Sequence, residues 1–275
     1  MTAIVLVLQH PDIARCDLFG LPSADLVSAS VARIKVDAGF SLSEQAAAAL
    51  AAQQIDYAVL PDRNFADLGL IVSDMDSTLI TIECIDEIAA GVGLKDKVAE
   101  ITERSMRGEM DFAQSLTERV ALLEGLDEGV LQSVYDNILK LSPGAEYLIA
   151  ECKRHEVKFL LVSGGFTFFT DRLQQQLGID YAYANVLEIV DGKLTGKLKG
   201  RMIDAQAKAD LLCEHQEALG LTPEQVLAVG DGANDIPMLQ AAGIGVAYHA
   251  KPKTEQHADV AVRFNGLEAL RGLFA

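Results

Sequence analysis

The sequence predicts an α/β fold, a doubly wound and mostly parallel sheet with a helical cap insertion and a small N-terminal α+β module. Three observations support this prediction. From residue 68 onward, short apolar runs alternate with helical stretches, as in folds that surround a parallel sheet with helices. Consecutive amphipathic helices interrupt the alternation once, at about 84–141. Residues 1–66 follow a separate pattern, so we expect domains at 1–66 and 67–275.

The N-terminal region contains two strand-like runs, at 3–8 and 57–60, and an Ala-rich helical stretch at 43–54. Ser43, followed by Glu44 and Gln45, suits a helix start because a serine hydroxyl can accept a hydrogen bond from the first turn. The region has no cluster of catalytic residue types. We therefore expect a small packing or regulatory module.

Polar segments follow three of the predicted buried strands. The runs at 68–72, 158–162 and 226–229 precede DMDST (74–78), SGG (163–165) and GDGAND (230–235), and a further strand is predicted at 244–247. Helices at 145–154, 167–177 and 205–219 separate them, and Asp191-Gly192 predicts a hairpin at the sheet edge. Because open parallel sheets bind ligands beyond the carboxyl ends of their strands, the three polar segments should converge.

Each segment can be interpreted as part of a catalytic or binding site, or as an ordinary structural feature. Asp74 and Asp76 can bind a hard cation or divide nucleophilic and acid–base work, but a solvated helix-capping turn would look similar. SGG can cradle a phosphate or form an ordinary turn. The glycines of GDGAND allow close backbone approach. Lys208 alone would be interpreted as a solvated surface residue.

Taken together, the segments resemble the haloacid dehalogenase superfamily of phosphatases. The longer matches DMDSTLITIECIDEIA (74–89), FAQSLTERV (112–120), SGGF (163–166) and GDGANDIPM (230–238) are similar to its phosphoserine phosphatases. The resemblance covers nearly all of residues 70–265 and fades in the first 66. It implies a phosphatase domain at 67–275, with the helical insertion acting as a cap over the site.

The resemblance implies a role for each polar residue. Asp74 would be the nucleophile and Asp76 the general acid and base. Mg²⁺ would be held by Asp74, the Asp76 backbone carbonyl and Asp231. The phosphoryl group would be bound by Ser163, Gly164 and Lys208, with Asp235 orienting Lys208. Asn234 would help to position the phosphate or the water.

Substrate choice is expected in the insertion. Glu83 matches the family position that pairs with a substrate ammonium, and Arg119 matches the one that grips a carboxylate. Met106 and Phe112 match apolar positions that line the pocket. Without the resemblance, Glu83 and Arg119 would be interpreted as members of surface salt bridges, and the two apolar residues as core.

Composition limits the partners and the compartment. The formal net charge of −17 argues against nucleic acid, which requires a basic surface. The four cysteines form no CxxC pair, the N-terminus lacks a basic signal-peptide region, and no apolar stretch approaches the roughly 20 residues of a membrane span. We expect a cytoplasmic protein with a small-molecule substrate and no membrane association, and we allow for a homodimer.

The resulting expectation is Mg²⁺-dependent hydrolysis of O-phospho-L-serine through an aspartyl-phosphate, as the last step of serine biosynthesis. Two alternatives stay open. A phosphotransferase on the same scaffold would pass the phosphoryl group to an amino-acid alcohol, and it would share every one of these motifs. A non-catalytic ligand-binding protein would keep the scaffold, although binding alone requires no nucleophile.

Overall fold

Two β-sheets organise the protein in the computed structural model, which describes residues 3–18, 21, 24–106 and 109–275. The strands are β1 (Ile4–Gln9), β2 (Asp25–Leu26), β3 (Val31–Val36), β4 (Asp56–Pro61), β5 (Leu70–Ser73), β6 (Lys158–Phe166), β7 (Tyr181–Val190), β8 (Lys193–Lys199), β9 (Val226–Gly230), β10 (Ile244–Tyr248) and β11 (Val260–Val262). The helices are α1 (Glu44–Ala52), α2 (Cys84–Gly91), α3 (Lys95–Met106), α4 (Phe112–Ala121), α5 (Gly129–Asn137), α6 (Ala145–Arg154), α7 (Thr167–Leu177), α8 (Ala205–Ala218), α9 (Ile236–Ala241), α10 (Pro252–Glu255) and α11 (Glu268–Gly272).

The larger sheet has the strand order β11-β10-β9-β5-β6-β7-β8. Its neighbouring strands are parallel except for β7 and β8, which form the antiparallel hairpin predicted around Asp191-Gly192. Both turn residues have positive φ, 49° and 74°, as a two-residue hairpin turn requires. Because β5 lies between β6 and β9, the polar segments that follow these three strands are neighbours. The predicted fold class is confirmed.

The smaller sheet is antiparallel, with the order β2-β3-β1-β4. Helix α1 covers one face, where Leu50 packs with Leu6, Leu8 and Ile34. The prediction of two strands in this region was incomplete, because β2 and β3 were missed. Strand β3 carries Arg33 and Lys35, and two charges in six residues hide its alternating apolar face.

The second face of the small sheet packs against the C-terminal segment of the chain. Asp56 is buried and accepts hydrogen bonds from the backbone N–H groups of Arg263, Phe264 and Asn265, at 2.8, 3.1 and 2.9 Å. Arg33 donates to Asp62 at 2.8 Å and to the carbonyl of Leu273 at 3.2 Å. The two sheets are therefore joined by satisfied polar contacts. The domain boundaries at 66/67 and at about 84–141 stay predictions.

Helices α2 to α5 follow β5 as consecutive elements. The chain enters and leaves this helical region side by side, because the Thr81 N–H donates to the Lys140 carbonyl and the Ser142 N–H to the Leu79 carbonyl, at 3.0 and 2.9 Å. At its far end, the Gly125 N–H donates to the carbonyl of Leu194 on β8 at 2.8 Å. The hairpin thus holds the helical region over one end of the sheet. Gly108, one of the expected turn residues, lies outside the described residues.

Among the described residues, no helix combines the length and the apolar character needed to cross a bilayer. The four cysteines are free thiols, two of them buried.

Candidate active site

The nucleophile candidate Asp74 lies directly after the central strand β5 and is buried. Its N–H donates to the carbonyl of Val229 on β9 at 3.0 Å, which ties this turn to the strand that leads into GDGAND. Its carboxylate oxygen Oδ1 accepts a 2.7 Å bond from the N–H of Met75. The Asp74 carboxylate is therefore fixed at the carboxyl edge of the sheet.

Lys208 is buried between two carboxylates. Its Nζ lies 2.7 Å from Oδ1 of Asp74 and 2.7 Å from Oδ1 of Asp235, and its side chain is 1% exposed. Burial by itself would lower the pKa of Lys208, but Asp235 and Asp74 raise it above its ordinary value. Lys208 is thus a buried cation of the site, and the interpretation of this residue as a solvated surface lysine was wrong.

Opposing interactions act on the pKa of Asp74. Burial and the carboxylate of Asp235 raise its pKa well above the ordinary value, while Lys208 acts in the other direction. Additional positive charge beside Asp74 would favour its ionised form. A bound cation is the natural source of that charge.

The donor set for such a cation is a group of three carboxylates. Oxygen atoms of Asp74, Asp231 and Asp235 lie within 4.8 Å of one another. Thr78 orients Asp231 through a 3.0 Å hydrogen bond to Oδ1, and burial followed by repulsion from Asp235 raises the pKa of Asp231 to about 7. Carboxylate oxygens clustered in this way fit a hard divalent cation.

Asp235 differs from the other two carboxylates because both of its oxygens are hydrogen-bonded within the protein. It is fully buried, its Oδ1 binds Lys208, and its Oδ2 accepts from the N–H groups of Asp231 and Gly232 at 3.1 and 2.9 Å. These bonds make Asp235 an orienting residue for Lys208 and for the loop. Asp74 and Asp231 are the carboxylates better placed to hold a cation.

The SGG segment does not form the compact turn that was expected. Residues 163–165 continue β6 in extended conformation as far as Phe166, and the pairing with β7 shifts between Val162 and Phe166. The buried Ser163 hydroxyl accepts a 2.8 Å bond from the N–H of Gly165. A Cβ atom on Gly165 would lie 2.7 Å from Oδ2 of Asp76, so glycine is needed for this approach.

Asp76 lies next to this segment and under the helical region. Its Oδ1 accepts from the N–H of Cys84 at 3.2 Å. Burial, followed by the charge of Glu83, raises the pKa of Asp76 to about 7. A carboxyl group with this pKa can hold a proton near neutral pH and also release it, as a general acid and base must.

Glu83 and Arg119 lie on the helical side of the site and interact through their opposite charges. Ser77 donates a 2.6 Å hydrogen bond to Oε1 of Glu83, just before α2 begins. Arg119, in the last turn of α4, donates through Nε to the Ser115 carbonyl at 3.3 Å. Burial lowers the pKa of Arg119, and the charges of Asp86, Glu83 and Asp76 oppose that change. Opposite charges therefore flank the general-acid candidate.

The remaining predicted residues occupy the same region. A Cβ atom on Gly164 would lie 2.9 Å from Cζ of Phe112, so the first residue of α4 touches the SGG segment. Asn234 lies in the short turn Ala233–Asp235. The backbone of Met106 ends α3, and its side chain lies outside the described residues.

Sequence reasoning missed three residues of this region. Ser77 and Thr78 orient Glu83 and Asp231, and Asn185 on β7 contacts the SGG segment. The hydroxyl residues lie within DMDST and could have been found there. Nothing local in the sequence indicates Asn185.

Comparison with known proteins agrees with this geometry. The family model of haloacid dehalogenase-like hydrolases matches residues 68–243. The chain belongs to the haloacid dehalogenase-like hydrolases. A phosphoserine phosphatase from Polaromonas sp. (strain JS666) is 51% identical over 215 residues, which cover 76% of this chain and 91% of that protein. The predicted resemblance and the hydrolase class are thereby confirmed.

Solved structures support the same assignment. A probable phosphoserine phosphatase from Vibrio cholerae, in unliganded form, has a TM-score of 0.81 and 38% identity, and covers 99% of this chain and 86% of its own. A phospho-aspartyl intermediate analogue of a phosphoserine phosphatase has a TM-score of 0.71 and 38% identity, and covers 76% of this chain and 99% of its own. The Vibrio match includes the small N-terminal sheet.

Proposed function

We propose that this hydrolase converts O-phospho-L-serine and water to L-serine and phosphate. The observation that carries the proposal is the position of Asp76. It lies beside the SGG segment on one side and within the field of Glu83 and Arg119 on the other. A phosphate group held by Lys208 and SGG would therefore have its alcohol oxygen near Asp76 and its amino-acid head group near Glu83 and Arg119. The names of the relatives and solved structures support this substrate.

The proposed reaction begins with attack of an Asp74 carboxylate oxygen on phosphorus. The new bond joins that oxygen to phosphorus, the bond from phosphorus to the serine oxygen breaks, and Asp76 gives its proton to the departing alcohol. Water then attacks the aspartyl-phosphate while Asp76 takes its proton, which releases phosphate and restores Asp74. Lys208 stabilises the negative charge of the phosphoryl group throughout.

We assign Mg²⁺ as the cation of this site, held by the carboxylates of Asp74 and Asp231 and by the backbone carbonyl of Asp76. An all-oxygen donor set suits this ion. When bound, Mg²⁺ would offset the repulsion between the Asp74 carboxylate and an anionic phosphate. The residues Ser163, Gly164 and Asn234 are proposed phosphate contacts, and Glu83 and Arg119 are proposed contacts of the ammonium and carboxylate.

The test is phosphate release from O-phospho-L-serine by the wild-type chain and by Asp74→Asn. We expect release with Mg²⁺, its loss after chelation, and a fall of about 1,000-fold or more in Asp74→Asn. Asp136→Asn, which removes an exposed carboxylate of α5, serves as the matched control and should keep full activity. Equally negligible release from all three proteins would favour the alternative of a non-catalytic binding protein.

A second experiment separates hydrolysis from phosphotransfer. The same reaction is run with an added amino-acid alcohol, homoserine, and both phosphate and phosphohomoserine are measured. Free phosphate as the main product supports the proposal. Phosphohomoserine formed faster than phosphate would make the chain a transferase. A place as the last step of serine biosynthesis, a cytoplasmic location and a homodimer stay predictions.

A further inference from the structure

Asn185 is a buried amide that connects two separate parts of the active site. It lies on β7 and is 1% exposed. Its Nδ2 donates to the carbonyl of Gly164 at 2.8 Å, and its Oδ1 accepts from the N–H of Ile203, also at 2.8 Å. A carbonyl can only accept and an N–H can only donate, so these partners determine the orientation of the amide.

The bond from Asn185 to the Gly164 carbonyl lies where the regular pairing between β6 and β7 is interrupted. Strand β6 pairs in register with β7 up to Val162, opposite Tyr183, and pairs again at Phe166, opposite Asn185. Three residues of β6, 163–165, therefore lie opposite a single residue of β7. This bulge turns the SGG segment out of the regular ladder. The side chain of Asn185 restrains it at the Gly164 carbonyl.

The second bond restrains the start of α8. Ile203 precedes Asp204, whose Oδ1 accepts from the N–H of Ala207 at 2.8 Å and so caps the helix. The Lys208 N–H donates to the Asp204 carbonyl at 3.0 Å, which places Lys208 one turn beyond this cap. Holding Ile203 therefore helps to set the position of the buried ammonium.

We propose that Asn185 is a positioning residue that sets the distance between the SGG segment and Lys208, and with it the geometry of phosphate binding. The inference rests on the proposed function, because it assigns both elements to the phosphate. The Asn185 side chain is hydrogen-bonded to the Gly164 carbonyl and to the Ile203 N–H. Its effect is transmitted through two backbone groups.

The variant Asn185→Asp tests one of the two bonds selectively. A carboxylate can still accept from the Ile203 N–H, but it opposes the Gly164 carbonyl with a second oxygen at the position of the former donor. The SGG segment should be displaced while the start of α8 keeps its partner. Asn185→Ala removes both bonds without repulsion, and it is the second variant if the carboxylate prevents folding.

Asn265 supplies the matched control. It is also buried, and its Nδ2 donates to the backbone carbonyl of Gln9 at 3.1 Å and to Oδ2 of Asp56 at 2.8 Å. It follows β11, the outermost strand, three strands away from β5. Asn265→Ala therefore removes a buried amide far from the phosphate site and is the matched control for Asn185→Ala. Asn265→Asp also places a second carboxylate beside Asp56, so it controls for the general destabilisation that a buried charge causes.

The measurements are the thermal midpoint, kcat and KM for O-phospho-L-serine and for a small aryl phosphate, and the inhibition constant of inorganic phosphate. For Asn185→Asp we expect kcat to fall about 100-fold on both substrates and the phosphate inhibition constant to rise about tenfold, because small displacements of binding groups cost rate steeply. Asn185→Ala should show the same changes to a smaller degree. The Asn265 variants should lower the thermal midpoint and leave kcat and the phosphate constant within about twofold.

The proposal is overturned if folded Asn185 variants keep the wild-type phosphate inhibition constant, or if their kinetic losses equal those of the Asn265 variants. A loss confined to phosphoserine would also overturn it, because the phosphate is common to both substrates. Failure of the proposed function is distinguishable, since the wild-type chain would then release no phosphate from phosphoserine.

Discussion

The hydroxyl of Ser77 donates a 2.6 Å hydrogen bond to Oε1 of Glu83. Ser77 follows the general-acid candidate Asp76 and has a φ of 56°, in the left-handed region that glycine adopts without strain. Ser77 thus connects the general-acid candidate Asp76 to the residue proposed to bind a substrate ammonium. The bond restrains the Glu83 carboxylate.

Ser77→Gly removes the hydroxyl without adding backbone strain. We expect KM for O-phospho-L-serine to rise about five- to tenfold, the equivalent of one hydrogen bond, with kcat on a small aryl phosphate unchanged. Steady-state kinetics on both substrates measure this. An equal loss on the aryl phosphate would show that Ser77 acts on the chemical step instead of on Glu83.

Arg119→Ala should also impair activity on phosphoserine more than on a small aryl phosphate, and the difference should be larger than for Ser77→Gly. Phosphoserine has a carboxylate for the guanidinium to bind and a small aryl phosphate has none, so we expect kcat/KM to fall about 100-fold for the first and less than about threefold for the second. Arg104→Ala is the control, since Arg104 pairs with Glu118 on the surface of the same helical region. Parallel losses on both substrates would contradict a recognition role.

Lys208→Met keeps the volume of the side chain and removes its charge. Asp74 and Asp235 would then be buried without their common partner, so we expect a loss of about 3–5 kcal/mol in the free energy of unfolding. Activity should fall by about 1,000-fold on every phosphate ester. Lys158→Ala, which removes an exposed ion pair of equal length with Asp180, should change neither quantity strongly. A substrate-selective loss would place Lys208 outside the phosphate site.

The stability of the metal-free protein should depend on pH. Asp76 and Asp231 have pKa values raised to about 7, each from an ordinary value of 3.8. Between these values the folded state binds more protons than the unfolded state, so the stability that these two groups contribute is full below their ordinary pKa and is lost as pH rises through about 7. Chelated protein should therefore unfold at lower urea concentration at about pH 8 than at about pH 5.5.

Two additions test the origin of this dependence. Asp231→Asn should reduce the difference in urea midpoint between the two pH values, because one titrating group is removed. Mg²⁺ should stabilise the wild-type chain more at the higher pH, where the carboxylates that would hold it are ionised. If the urea midpoint of chelated protein were higher at the higher pH, that result would contradict the raised pKa values of Asp76 and Asp231.

Asp56→Asn tests the connection between the two sheets. Both carboxylate oxygens of Asp56 accept backbone N–H groups of residues 263–265, and an amide can present only one acceptor. We expect the free energy of unfolding to fall by about 2–3 kcal/mol, measured by urea denaturation, with kcat unchanged at a temperature where the variant is folded. Asp62→Asn, which alters a partly exposed ion pair with Arg33, should have a smaller effect.

The sequence by itself determined the fold class, the strands at the centre of the large sheet, and the residue types at the ends of β5, β6 and β9. Those features are local, because apolar runs and the glycine-rich segments after them are set by neighbours in the chain. The predicted bounds of α6 and α7 agree with the structure for the same reason. The resemblance then assigned roles that local pattern could not.

Only the tertiary structure decided which polar groups are buried and what satisfies them. Lys208 looks like a surface lysine until Asp74 and Asp235, 134 and 27 residues away, are seen at 2.7 Å. Strand β3 was missed because Arg33 finds its partners in the Leu273 carbonyl and Asp62. A buried charge or amide is stable only beside partners that chain folding brings from a distance, and no local pattern records them.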